Sequence, residues 1–211
     1  KISNLVTANL NTVAVRFPKH KSIRSILKKI NFPLAIPSAN QSGGISPVES
    51  KDVSEEFGKK LKLIVDGGKC RIGIESTVVD LSDKLRILRP GIISSKKISK
   101  IIKAKILMKK KFNKIKSPGS FKKHYSPGIP IRLNQKKPSK KGAFITFGKK
   151  YSKSKNVFNL SKKSNLNEAA KNLYSIFRKI KKMKYKKICI IKIPNKDVGI
   201  AINNRLKHAA S

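Results

Sequence analysis

Residues 33–47 read PLAIPSANQSGGISP: an apolar run, LAIP, that spills into a turn made of Ser38, Asn40, Gly43 and Gly44. A buried strand that ends in small polar residues is how an open α/β sheet presents a loop to an anionic ligand. Two later segments repeat the pattern, GIESTVVDL at 73–81 and ILRPG at 87–91. Ser38 and Asn40 can aim side-chain donors at phosphate oxygens, and the glycine pair lets backbone come close to a ligand. A tight turn held by local Ser and Asn hydrogen bonds accounts for the same residues. The loop has neither the GK[ST] ending of a Walker A motif nor a GxGxxG fingerprint.

Working outward, TVAVRF (12–17) has the β-branched content of a strand, and Ile23, Ile26, Leu27 and Ile30 share one helix face. A second helix is expected after Ser50, with Val53 and Phe57 on one side. LKLIVDGG (61–68), STVVDL (76–81) and LRILRPG (85–91) read as three further strands, and Ser94 or Ser95 as the cap of a helix reaching about Met108. From 109 to 130 the periodicity stops, and Pro, Gly and Lys take over around a His124-Tyr125 pair. This stretch reads as a linker. Beyond it GAFITFG (142–148), NVFNL (156–160) and KICIIKIP (187–194) read as strands. Leu166, Ala170, Leu173, Phe177 and Ile180 form the stripe of a helix starting near Asn165, and IAINNRLKHAA (200–210) a final one. The expected division is 1–108, a linker or lid at 109–130, and a small α/β domain at 131–211.

The 211 residues carry 51 Lys+Arg against 10 Asp+Glu, a formal charge of +41, with 38% apolar residues. That apolar share is enough for packed cores, which excludes a disordered polycation. The charge attracts polyanions, yet it is nearly all lysine, spread along the whole chain among Ile and Asn. The arginines at 16, 24, 71, 86, 89, 132, 178 and 205 are the informative cations. Arg16 and Arg89 each close an expected strand, where a guanidinium can clamp a carboxylate or phosphate. Glu75 interrupts an apolar stretch, so if partly buried it needs a hydrogen-bonding partner. Cys70 and Cys189 have no metal-ligand spacing. His20, His124 and His208 sit beside no nucleophile, so no catalytic residue is assigned and chemistry would rest on positioning and electrostatics. No apolar run is long enough to span a bilayer and no signal segment opens the chain. The expectation is a soluble, cytoplasmic protein that contacts no membrane.

TVAVRFP, PLAIPSANQSGGISP, IVDGGKCRIGIESTVVDL and ILRPG, in this order, resemble the YrdC-like threonylcarbamoyl-AMP synthase family. SPGSFKKHYSP (117–127) and IAINNRLKHAA resemble its longer, two-domain form. The resemblance implies a twisted open-sheet YrdC-like α/β domain plus a small Rossmann-like α/β domain. It implies a nucleotidyltransferase that makes L-threonylcarbamoyladenylate and pyrophosphate from L-threonine, bicarbonate and ATP with Mg²⁺. The product would serve threonylcarbamoyladenosine modification at tRNA position 37 through a downstream transferase complex. By motif, Thr12, Ser38, Asn40, Ser46, Arg89, His124 and Tyr125 would face ATP, with the last two as a lid. Arg16, the Ile36 backbone and Ser76 would face threonine; the metal ligands stay unassigned.

One departure qualifies the resemblance. Position 1 is Lys and the only methionines are Met108 and Met183. The family's N-terminal part, with a Lys/Arg-containing motif that grips ATP, is therefore expected to lie outside this chain. The 211 residues alone are expected to show apolar sheet edges and to be inactive or feeble. Two other readings compete: a non-catalytic RNA-binding member of the fold, for which weak RNA binding would follow from the charge, and a carbamoyl-transfer domain. The linker, the second domain and the lack of zinc-finger cysteines argue against the latter.

Overall fold

The computed structural model describes residues 2–7, 9–82, 85–108, 124–151 and 154–211. Most of the expected linker, 109–123, therefore lies outside the described residues. The first part of the chain contributes helices α1 (Asn4–Thr7), α2 (Lys21–Lys29) and α3 (Ser50–Phe57). Strands β1 (Val78–Asp80) and β2 (Arg86–Arg89), helix α4 (Ser95–Ile102) and strand β3 (Leu107–Met108) follow. β1 pairs antiparallel with β2, and β2 parallel with β3. Ser94 caps α4 by accepting from the Lys97 amide. The helix stops at Ile102, short of the expected Met108, because Lys103 turns left-handed and the chain then joins the sheet.

Three expected strands are not strands among the described residues. TVAVRF, LAIP and LKLIVD are extended segments without a ladder, and Val15, Phe17 and Leu63 are 84%, 95% and 77% exposed. β-branched content favours a strand only where a neighbouring strand accepts its amides and covers its side chains. Here none of the described segments does so.

The second part folds as read. Strands β4 (Ile131–Arg132), β5 (Ala143–Thr146), β6 (Val157–Asn159) and β7 (Ile188–Ile190) form a parallel sheet in the order β4-β7-β5-β6. Two helices, α5 (Leu166–Lys182) and α6 (Val198–Ala210), pack against each other and the sheet. Asn165 accepts from the amides of Asn167 and Glu168 and starts α5. Ala169, Ala170, Leu173, Tyr174, Phe177 and Ile180 are its buried stripe. Each large member contributes about 1.5–3 kcal/mol by leaving water. In this part the two-residue β4 escaped the sequence reading, since two residues carry no period.

The first part has few core residues of its own; Ile45, Val48 and Ile74 instead join the cluster of the second sheet and its helices. Polar contacts line the same seam. Arg178 Nη2 donates to the Ile45 carbonyl at 2.8 Å and to Glu56 Oε2 at 3.1 Å, and its Nε lies 3.4 Å from Asp52 Oδ2. Lys182 Nζ donates to Glu55 at 2.7 Å. Arg205, fully buried, pairs with Glu75 at 2.6 Å.

Gly73 sits at this seam with φ +80°, and a Cβ there would meet the Lys171 backbone of α5 at 2.5 Å. Gly73→Ala is therefore expected to cost about 1–3 kcal/mol, read as a lower Tm by calorimetry. The seam is also acid-sensitive. Burial by itself would raise the Glu75 carboxyl, but the Arg205 guanidinium and the hydrogen bonds from Ser46 and Arg205 outweigh it and hold the group below its ordinary 4.5. A depressed carboxylate stabilises the fold above that value and loses its contribution as pH falls through the folded one. Glu75→Gln should thus be less stable than wild type at pH 7, with the difference shrinking below pH 4.5 in acid-unfolding curves.

Candidate active site at the domain seam

Glu75 is the centre of the site. It precedes β1, where the chain leaves the buried Gly73-Ile74 pair, so its side chain enters the seam. Ser46 Oγ donates to Glu75 Oε1 at 2.5 Å, while Tyr174 Oη and Arg205 Nε donate to Oε2 at 3.0 and 2.6 Å. Arg205 spends its remaining N–H groups on the carbonyls of Pro90 (3.0 Å) and Glu75 (3.2 Å) and on Asn204 Oδ1 (2.7 Å). The segments before β1 and after β2 thereby lie close together. A Cβ on Gly91 would come within 2.3 Å of the Thr77 amide nitrogen, so only glycine fits. Across this approach Arg89 Nε donates to the Ser76 carbonyl at 3.1 Å, with Nη2 at 3.5 Å from Ser76 Oγ.

The His124-Tyr125 pair closes over this group. The His124 amide donates to the His208 carbonyl at 3.1 Å, and the Ser126 amide to the Gly43 carbonyl at 2.9 Å. Between these two ties Tyr125 is held at φ +63°, a left-handed conformation that a bulky residue adopts only under constraint. Its ring is 1% exposed, stacks on Tyr174 at 5.9 Å and has the Arg205 guanidinium 5.1 Å from its centroid. Burial, then the Glu75 charge, pushes the Tyr125 phenol up against the opposing pull of Arg205 and Arg89. Burial likewise lowers His124, with Glu75 opposing, so the imidazole is neutral near pH 7. His124 Nδ1 is buried without a hydrogen-bond partner among the described residues, and Tyr125 Oη is buried with the Arg89 guanidinium near it but outside good hydrogen-bond geometry. Two open polar atoms in a basic enclosure are suited to an anionic, hydrogen-bonding ligand.

Ser46, Ser76, Arg89, His124 and Tyr125, all nominated from the sequence, are thus brought together. Asn40 is near them through its loop, but its amide donates to the Gln41 and Gly44 carbonyls at 2.7 and 3.4 Å. The PSANQSGG turn is in this respect held by local hydrogen bonds, with Asn40 Oδ1 left open. Thr12, Arg16, Ile36 and Ser38 lie on exposed segments outside this network. Arg205 and Tyr174 were not nominated. The signal for Arg205 was present, as one of few arginines in a lysine-rich chain, but nothing local pointed it at Glu75. A cleft of about 290 Å³ further along the seam, lined by Val48, Asp52, Ser175, Arg178 and Lys182 among others, contains none of the nominated residues.

Comparison with known proteins identifies the family. A family model described as "Telomere recombination" matches residues 1–91, and one described as "Threonylcarbamoyl-AMP synthase, C-terminal domain" matches 93–211. The chain is 31% identical to the threonylcarbamoyl-AMP synthase of Pyrococcus abyssi and 32% identical to that of Bacillus subtilis. Each alignment covers 99% of this chain but 67% and 66% of the relative, so the chain spans about two thirds of their length. The crystal structure of P. abyssi Sua5 complexed with L-threonine superposes with a TM-score of 0.87 at 30% identity, over 99% of this chain and 67% of that one. A P. abyssi Sua5 variant with a His-Tyr pair replaced by alanines gives 0.83 at 28% identity, over 99% and 66%. Relatives named as synthases favour the catalytic reading over a non-catalytic RNA-binding one. A seam that gathers the nominated residues and two family models that together span nearly the whole chain lead to one assignment: the chain belongs to the threonylcarbamoyl-AMP synthase family, in its two-domain form.

Proposed function

We propose that the full-length protein is an L-threonylcarbamoyladenylate synthase, forming the adenylate and pyrophosphate from L-threonine, bicarbonate and ATP in the cytoplasm. The adenylate would then pass to a tRNA-modifying transferase complex. The observation that carries this reading is the gathering of Ser46, Ser76, Arg89, His124 and Tyr125 about Glu75, at the meeting of both domains. The reaction has two steps. The threonine amine adds to bicarbonate carbon, with loss of water, to give a carbamate. A carbamate oxygen then attacks the α-phosphorus of ATP, and the bond to the β-phosphate bridge breaks, releasing pyrophosphate.

Each step brings anions together, so the protein's task is to orient them and screen their repulsion. Arg89 would supply fixed positive charge at the phosphates, with Ser76 beside it on the threonine side. Ser46 would approach ATP. His124 and Tyr125, neutral at working pH, would hydrogen-bond the nucleotide and keep water from a labile mixed anhydride. Thr12, Arg16, Ile36, Ser38 and Asn40 would complete the pocket, on the strength of the resemblance. Among the described residues no group of three or more His, Cys, Asp or Glu could hold a metal. Mg²⁺ would enter with ATP, as part of that substrate. No described helix is long and apolar enough to cross a membrane.

Pyrophosphate release by the full-length protein tests this, with threonine and bicarbonate each omitted in turn. Release that needs both is expected; release that ignores threonine, or none at all, overturns the reading. Arg89→Ala should lower kcat/KM by about 10²-fold or more, since it removes a charge held in place against Ser76 where the phosphates would lie. A steady-state comparison with wild type checks it.

A further inference from the structure

We propose that Arg205 and Tyr174, both from the second domain, are positioning residues for the substrate pocket of the first, acting through Glu75. This rests on the synthase reading above. Both Glu75 oxygens are engaged, Oε1 by Ser46 and Oε2 by Tyr174 and Arg205, so the carboxylate cannot turn without breaking a charged hydrogen bond. The Arg205 guanidinium is a planar fork. By reaching the Glu75 carboxylate and the carbonyls of Glu75 and Pro90 together, it sets the separation of residues 75 and 90. Ser76 and Arg89 are the chain neighbours of those two residues and are bonded to each other. A displaced fork therefore moves Ser46, Ser76 and Arg89 as a unit. It also moves Tyr125, whose ring rests on Arg205 and Tyr174.

Plain adhesion between domains does not require this arrangement. A buried ion pair is a poor glue, because its desolvation cost often matches or exceeds the attraction, and apolar residues of like volume hold as well. A charged fork instead supplies direction. Adhesion is available elsewhere on the seam, from the Arg178 and Lys182 pairs and from Ile45, Val48 and Ile74 in the shared core.

The test compares three variants of the full-length protein. Tyr174→Phe keeps the stacked ring and removes one donor to Glu75. The expected result is higher KM for both threonine and ATP, a fall in kcat/KM of about 3- to 10-fold, weaker threonine binding by calorimetry, and a Tm lowered by only the few degrees that one lost hydrogen bond costs. Arg205→Lys keeps the charge but loses the fork, and should cost about 100-fold or more in kcat/KM. Lys182→Ala loosens the same seam away from Glu75 and should leave both KM values and threonine affinity at wild-type levels. Wild-type KM and threonine affinity in Tyr174→Phe, or equal losses in Lys182→Ala, would overturn the inference while leaving the synthase reading intact. A wild-type protein that neither binds threonine nor releases pyrophosphate would overturn both.

Discussion

Glu75 is a carboxylate largely taken out of water between two domains, and most of its solvation has been replaced by a serine, a tyrosine and an arginine from three separate parts of the chain. An ionised group in such a place is tolerable only while all its partners are present, since each loss leaves a buried charge under-satisfied. Local order follows from this. Arg205 can meet Glu75 only if α6 is docked, and once docked its other N–H groups fall on the carbonyls that bracket Ser76 and Arg89. The shape of the first domain's pocket is thus partly a property of the second domain.

Charge balance gives the seam its weight. With 10 acids against 51 cations the chain is self-repelling, so where the few acids sit decides which cations are paired. Asp52, Glu55, Glu56 and Glu75 are all spent on pairs with Arg178, Lys182 and Arg205 across the seam. The two arginines, with their rigid donor forks, take the more buried places, and the flexible lysine takes the exposed one. The Lys excess is then a surface matter, and the arginines carry the architecture, as their scarcity suggested.

Legibility of the fold tracked how self-contained each element is. α5 announces itself by an Asn cap and an apolar stripe at helical spacing, features that lie within one stretch of chain. β5 and β7 are buried end to end and read as continuous apolar runs. TVAVRF, LAIP and LKLIVD also read as strands and form no ladder among the described residues, because a strand is defined by its neighbour. The order β4-β7-β5-β6 was likewise beyond reading, as nothing in a strand's own residues names the strand beside it.

The sequence by itself determined the motifs, the family they belong to, the cores of α2 to α6, the second-domain strands other than β4, and the need of Glu75 for a partner. Ser46, Ser76, Arg89, His124 and Tyr125 were nominated on those terms. Tertiary structure alone decided that they meet, and that the partners of Glu75 are Tyr174 and Arg205, 99 and 130 residues further along the chain. The physical reason is that periodicity and propensity are short-ranged, recording which face of an element avoids water. A buried carboxylate's choice of donor depends instead on which distant side chain the packed domains carry to within hydrogen-bonding distance.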